Sequence, residues 1–147
     1  MELLKKSVQS VLEKERIGSP VFLRCVLHVA EDSADLLSSV GVVTALANEW
    51  IPSSPKRVYA QGHVDSTQVT VMLHYVAGQM AFLSVDRVDI ETAIDIMLVG
   101  NRGVIYHETP IGRHYQNAIL PELDEIGELT AAIAQSVESG HPVELEV

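Results

Sequence analysis

Histidine is the residue type in this chain that is best able to carry a proton or bind a metal near neutral pH. No two histidines are two or four positions apart, and no acidic residue completes a recognisable ligand set with them. His28, His74 and His107 could converge on one face of a sheet, although polar side chains on a half-covered sheet explain them better. We therefore predict no metal site. The histidines are His28, His63, His74, His107, His114 and His141.

A loop with the sequence TPIGRHYQN carries a compact polar and aromatic cluster outside the predicted strands. Its Arg113, His114 and Tyr115, together with Trp50 at the end of a predicted helix, are candidate contacts for a small, sugar-like ligand. The alternative is that this loop is a solvated connection. The segment GNRG, residues 100–103, lies between two predicted strands and not before a helix, so it lacks the backbone donors of a phosphate loop.

Cysteine chemistry is limited to one residue, Cys25. A single cysteine excludes an internal disulfide bond and a thiolate cluster for zinc or iron and sulfur. Since its neighbours are apolar, we expect Cys25 to be a buried, inert thiol.

Composition and charge narrow the functional classes. The 147 residues are 47% hydrophobic, which is enough for a single domain, residues 1–147, with one core. The net charge is −10, and residues 119–147 hold seven acidic residues and no lysine or arginine. Nucleic acid and anionic membranes attract the opposite charge, so we predict neither as a partner. Without an apolar run of membrane-spanning length or a signal-peptide pattern, we expect a cytoplasmic protein.

Helical periodicity occurs in three segments. Residues 2–16 place apolar side chains at helical spacing, and Gly18 follows as a stop signal. A second helix is predicted over residues 35–50, with an N-cap at Asp32 or Ser33 and an end before Pro52. A third runs from Pro121 to Ser139.

Strand periodicity begins with residues 20–29 and resumes from residue 56. About five strands follow one another there, and their breaks at residues 77–78 and 100–103 are short turns that contain glycine. We predict an antiparallel meander in which alternate residues form a core face and a second, mixed face.

The predicted fold class is therefore α+β: an open, mostly antiparallel β-sheet with helices packed on one face, and the other face available for oligomerisation. The second face carries apolar side chains among polar ones, and no segment is left to cover it. Monomers rarely expose such a patch, so we predict a homo-oligomer through this face. The residues predicted to form it are Arg24, Met72, His74, Phe82, Asp95, Met97 and His107.

The chain resembles a known domain through five segments that follow an amphipathic helix in a fixed order. They are IGSPVFLR, SPKRVYAQG, VTVMLHYVAGQMAFLSV, DIMLVGNRGVIYHE and AIAQSVESGHPVEL. It is similar to the C-terminal domain of the Gfo/Idh/MocA family, the glucose-fructose oxidoreductase and inositol dehydrogenase group. The resemblance implies an open sheet with helices on one side, which contacts substrate and builds dimers or tetramers. In that family an N-terminal Rossmann domain binds NAD or NADP.

The departures from the family indicate a loss of catalysis. The chain starts at the helix that follows the Rossmann domain in the family, so we expect no cofactor bound by this chain alone, and NAD(P) only with a Rossmann partner. The family's long substrate loop is reduced to about five residues, Ala30 to Ala34. Its helical Asp-x-Gly-x-His pattern, followed by another Asp, falls near Ser38 or Ser39, Val42 or Val43, and Ala45 or Leu46, and no histidine lies between His28 and His63. Losing a general acid/base costs ~10²–10⁴ in rate. We predict no catalytic residues.

Three functions remain open. The first is a stand-alone, non-catalytic module for oligomerisation or partner binding, whose partner could be a second copy or a separately encoded Rossmann-type subunit. The second is the C-terminal part or subunit of an NAD(P)-dependent sugar or polyol dehydrogenase. The third is a small-ligand, sugar-like binding protein.

Overall fold

The computed structural model describes residues 2–30, 36–63, 66–89, 91–110 and 123–146, which contain three helices and one seven-stranded sheet. The helices are α1 (Glu2–Glu13), α2 (Leu36–Trp50) and α3 (Leu123–Ser139). The strands are β1 (Pro20–Ala30), β2 (Pro55–Gln61), β3 (Gln68–Tyr75), β4 (Met80–Val88), β5 (Ala93–Gly100), β6 (Val104–Pro110) and β7 (Val143–Glu144). The fold class is α+β, as the sequence predicts.

The predicted helices are all present, and α1 ends earlier than its stop signal. Leu4 and Val8 are buried one turn apart, while Leu3 is 81% exposed, so α1 is amphipathic. Glu15 adopts a left-handed conformation with φ of 50°, and the N–H of Arg16 donates to the carbonyl of Val11 at 3.1 Å. This pairing is typical of a Schellman helix end, here without glycine. The predicted N-cap of α2 at Asp32 or Ser33 lies outside the described residues.

The sheet is mostly antiparallel, but it is not a simple meander. Its strand order is β6-β5-β1-β4-β3-β2-β7, with β1 parallel to β4 and every other pair antiparallel. The prediction is correct for β2–β3–β4 and for the β5–β6 hairpin, and wrong between β4 and β5, because β1 lies between them. Alternation of side chains sets the faces of a strand but not its neighbours, so the sequence pattern could not reveal this order.

The centre of the sheet is held in place by a contact between the β5–β6 turn and the segment joining α1 to β1. The N–H of Arg102 donates to the carbonyl of Ile17 at 2.9 Å, and the N–H of Asn101 donates to Ser19 at 3.0 Å. A Cβ on Gly100 would lie 2.1 Å from the Ile17 oxygen, so only glycine allows this approach. The contact fixes β1 beside β5.

The helices lie on one face of the sheet, and the core lies between the two layers. Helix α2 packs on β1, β3 and β4, and α3 packs on β2. Side chains alternate along β3, β5 and, from Phe22 onward, β1, so that every second residue is almost fully buried. None of the described helices combines the length and apolar character that a bilayer crossing requires.

Candidate functional site

The face of the sheet turned away from the described helices, here called the open face, carries large side chains in cross-strand rows. Residues that are paired directly across neighbouring strands have side chains on the same face and in contact range. The pairing register therefore gives one continuous row across six strands. In strand order from β6 to β2 this row is Tyr106, Met97, Arg24, Phe82, Met72 and Tyr59.

A second row runs beside the first, nearer the β5–β6 turn. It begins at the edge with Val104, and it places two more large apolar side chains, Phe22 and Met80, next to each other at the centre. In the same strand order it is Val104, Val99, Phe22, Met80, His74 and Arg57. The two rows together make a contiguous band of aromatic, methionine and valine side chains.

Most of these side chains are half-buried by their neighbours, and the edge strand is the exception. Tyr106 is 71% exposed and Val104 is 43% exposed. A tyrosine so exposed offers a rigid, amphipathic surface of the kind that is enriched at protein interfaces.

The charged groups near the centre of the open face are paired within the chain. Arg24 on β1 contacts Asp95 on β5, with Nη2 and Oδ2 2.5 Å apart. His28 on β1 and Asp86 on β4 are directly opposite each other, and Nδ1 of His28 lies 3.1 Å from Oδ2 of Asp86. Both pairs are partly exposed. A surface that approaches this face would therefore meet charges that already have partners.

Cys25 lies on the helix-covered side of the same central strand. It is completely buried, and burial, with a smaller contribution from the charge of Asp95, raises the pKa of its thiol to about 12. The thiol is thus protonated near neutral pH and gives no nucleophile. This agrees with the predicted inert thiol.

The structure brings six of the seven predicted open-face residues together, and the prediction for His107 is wrong. His107 pairs with Ile96, which is fully buried on the helix-covered face. The position facing Met97 is occupied by Tyr106 instead. The reason lies in the β5–β6 turn: Gly100 pairs with Gly103, so each residue of β5 faces the residue of β6 that is equally far from the turn. The same count applied to the sequence would have identified Tyr106.

Most of the places where the family resemblance puts a catalytic helix pattern are core positions here, whereas the alternative position Ser38 is exposed. Ser39 and Val43 of α2 are completely buried. Thr44 is buried too, and its hydroxyl has no hydrogen-bond partner among the described residues. A buried valine cannot exchange a proton with a substrate, so this part of α2 contributes to packing.

Trp50, a predicted ligand contact, ends α2 beside a shallow cleft of about 310 Å³. The cleft is also lined by Gln9, Glu15 and Arg102, and Glu15 pairs with Arg102 at 3.3 Å. Trp50 itself is only 1% exposed, so little of it is accessible to a ligand. The remaining predicted contacts, Arg113, His114 and Tyr115, lie outside the described residues.

Metal ligands of the usual hard or borderline kind do not gather in the described residues. Within them no group of three or more His, Cys, Asp or Glu side chains could hold an ion. His28 and His74 share the open face, but on strands that are separated by β4.

Comparison with known proteins identifies the fold. No protein-family model matches the chain, and no curated protein sequence matches it. Several solved structures, in contrast, match the fold of the chain. A myo-inositol dehydrogenase from Corynebacterium glutamicum ATCC 13032 is 14% identical, with a TM-score of 0.75 over 97% of this chain and 61% of the dehydrogenase. Myo-inositol 2-dehydrogenase from Lactobacillus plantarum is 12% identical, with a TM-score of 0.66 over 97% and 61% of the two chains.

A third similar structure is scyllo-inositol dehydrogenase from Lactobacillus casei with bound NAD(H) and scyllo-inositol. It is 10% identical, with a TM-score of 0.68 over 95% of this chain and 61% of that one. The chain thus spans about 60% of the length of the structures that it matches. At this level of identity the likeness concerns the fold alone. The chain therefore has the fold of part of the Gfo/Idh/MocA inositol dehydrogenases, as the sequence resemblance implies.

Proposed function

We propose that this chain is a non-catalytic association module, and that its open face binds a second copy of the same chain. The observation that carries the proposal is the band of apolar and aromatic side chains across six strands, opposite the layer of helices. Six strands about 4.8 Å apart and rows about 6.7 Å apart give a face of several hundred Å². Patches of that size commonly mark interaction sites.

The arrangement of charge favours a second copy over a charged partner. Arg24 with Asp95, and His28 with Asp86, contribute paired charges to the face. Covering paired charges leaves no isolated ion in the interface, which would be strongly destabilising. A two-fold axis through the band would place the same apolar row against itself, as isologous interfaces require.

Sedimentation equilibrium tests this proposal. We expect the wild-type chain at tens of micromolar to have at least twice the monomer mass of 16.1 kDa. Tyr106→Glu should reduce the mass to that of the monomer, because an unpaired carboxylate in an interface costs several kcal/mol by order of magnitude. Met97→Glu, beside Tyr106 in the same row, should act in the same way.

Leu3→Glu is the matched control. Leu3 is also a large, exposed apolar residue, but it lies on α1, away from the open face. This variant should keep the wild-type mass. A monomeric wild-type chain, or equal dissociation by Leu3→Glu and Tyr106→Glu, would contradict association through the open face.

A second candidate function is the substrate-side part of an NAD(P)-dependent polyol dehydrogenase. It is favoured by the similarity in fold to inositol dehydrogenases, one of them with NAD(H) and scyllo-inositol bound. The residues of this chain do not fit the cofactor: no glycine lies between Gly18 and Gly41, where β1 leads into α2, and a dinucleotide cradle needs glycines at such a turn. In this alternative NAD(P) would be held by a Rossmann-type partner.

An assay of the purified chain with inositol and NAD or NADP separates the two functions. We expect no reduced nicotinamide from the chain alone, since it lacks both the glycine-rich cradle and a histidine on α2. Turnover by the chain alone would overturn the non-catalytic proposal. Turnover that appears only with an added nucleotide-binding subunit would favour the dehydrogenase part.

The cytoplasmic location of the protein stays a prediction.

A further inference from the structure

We propose that Met72, His74 and Met80 on the open face form a binding site for a soft monovalent cation, Cu(I), for which Ag(I) is a redox-inert probe. The site lies within one chain, so the inference does not depend on the proposed self-association. It adds a ligand to the face that neither the sequence pattern nor the similar structures assign.

The register of β3 and β4 brings the three side chains to one place. His74 is directly opposite Met80 on the neighbouring antiparallel strand, and Met72 is two residues before His74, so it lies on the same face. Directly opposed side chains have Cβ atoms about 4.5–5.5 Å apart, and diagonal neighbours about 7–8 Å. Methionine is long and unbranched, so the two thioether sulfurs and an imidazole nitrogen can converge on one cation.

These side chains are available for binding. Met72, His74 and Met80 are all partly exposed. His74 makes no hydrogen bond or ion pair with another described residue, so no such bond within the described chain would have to break.

The chemistry of the donors selects the cation. Thioethers are soft ligands that favour Cu(I), and imidazole binds copper well. The described residues offer no group of three carboxylate, cysteine or histidine ligands for a harder ion. Phe22 faces Met80 from β1, and Phe82 faces Met72 on β4. The two rings border the site with apolar surface and can add a cation–π attraction.

Two cationic side chains flank the site, Arg57 opposite His74 and Arg24 diagonal to Met80. Each has a counterion, and that of Arg24 is Asp95. Arg57 on β2 faces His74, and its Nε donates to Oε1 of Glu144 at 2.5 Å. This pair limits the repulsion that Arg57 would exert on a bound cation. A Glu144→Gln variant should accordingly weaken metal binding slightly, because it leaves Arg57 without its counterion.

Competition with bicinchoninate under reducing conditions measures Cu(I) affinity, and NMR of ¹³C-methyl methionine locates the bound Ag(I). We expect one cation per chain and shifts of the Met72 and Met80 methyl signals, without a shift for Met97. Met72→Leu and Met80→Leu should each weaken Cu(I) binding by about tenfold or more, since leucine keeps the shape but removes the sulfur donor. Met97→Leu is the matched control on the same face and should leave the affinity unchanged.

The titration is carried out on the wild-type chain and on Tyr106→Glu, so that a second copy covering the face cannot hide the site. Tight binding that is lost in Met72→Leu and Met80→Leu supports the site. Binding in neither protein, or an equal loss in Met97→Leu, overturns it. Leucine substitutions keep the face apolar and should not change the sedimentation mass, so the two proposals can fail separately.

Discussion

The two faces of the sheet are made by the same strands but differ in how they are covered. On the helix-covered face, side chains such as Leu27, Leu83 and Ile96 are almost completely buried. On the open face, their neighbours in sequence, such as Val26, Phe82 and Met97, remain partly exposed. The alternation of side chains along each strand thus places one set in the buried core. It places the other set on an equally continuous surface that solvent can still reach.

The difference shows which structural features point to a function. The helix-covered face is mostly apolar, and the described helices already bury most of it. The open face instead combines large apolar side chains with internally paired charges, Arg24 with Asp95 and His28 with Asp86. Such a mixture tolerates water in the free chain and still suits burial against another surface.

The largest expected difference between the faces concerns side-chain packing. Leu27→Ala should lower the free energy of unfolding by about 2–5 kcal/mol, because it opens a cavity in the core. Val26→Ala, one residue away on the open face, should cost about 1 kcal/mol or less. Urea denaturation followed by Trp50 fluorescence measures both, in the Tyr106→Glu background, where association should not add stability. Equal losses would mean that the open face is packed as tightly as the core.

A smaller difference in the free energy of unfolding is expected between two serine substitutions, one on the helical layer and one on the open face. The Oγ of Ser136 on α3 accepts from the N–H of Ala60 at 2.9 Å and donates to the carbonyl of His141 at 2.7 Å. Ser136→Ala leaves two backbone groups unsatisfied, one of them buried, and should cost about 1–3 kcal/mol. Ser84, on the open face, accepts from the exposed amide of Gln68 at 2.8 Å. Because that amide can bond to water instead, Ser84→Ala should cost less than half as much in the same urea assay; the reverse order would contradict this account.

Much of this comparison can be predicted from the sequence, since period-two alternation identifies both faces of a strand. The residues of β3 and β5 predicted for the open face, Met72, His74, Asp95 and Met97, all lie on it. Sequence alternation fails where two strands must be placed side by side. The Arg24–Asp95 pair requires β1 to lie next to β5, and that order depends on the chain as a whole. Tyr106 was within reach of the sequence, because the turn at Gly100–Gly103 fixes its partner.

Function is harder to predict from the sequence than the fold. The absence of a histidine from residues 36–50 and of a glycine-rich turn before α2 can be read from the sequence, and the proposal of a non-catalytic chain starts from it. Binding sites on a sheet, however, combine residues from separate strands, such as His74 and Met80, whose pairing follows from the β3–β4 turn. A pattern search that looks for ligands within one segment does not find them.

The smallest expected effect is a decrease in the free energy of unfolding at high pH, caused by the thiol of Cys25. Burial raises the pKa of this thiol from about 9 to about 12, and the charge of Asp95 contributes less. In the unfolded chain the thiol loses its proton near pH 9, whereas the folded chain keeps it, so stability is fully present below pH 9 and falls as the pH rises toward 12. At pH 10 the loss should be about 1–2 kcal/mol relative to pH 7, at about 1.4 kcal/mol per pH unit. Urea denaturation at several pH values measures it.

Cys25→Ala is the control for this effect, because it removes the thiol but keeps the other groups that titrate in the same range. Tyr75 is one of them: burial also raises the pKa of its phenol, and its hydroxyl donates to Asn48 at 3.1 Å. The variant should therefore keep a decline due to Tyr75 and lose the part that begins near pH 9. If both proteins declined in parallel from pH 8 to pH 10, the thiol would not be the titrating group. A separate Asp95→Asn variant, which keeps Cys25, should lower the pKa of the Cys25 thiol slightly. This would show that a charge on the open face acts on a residue of the core.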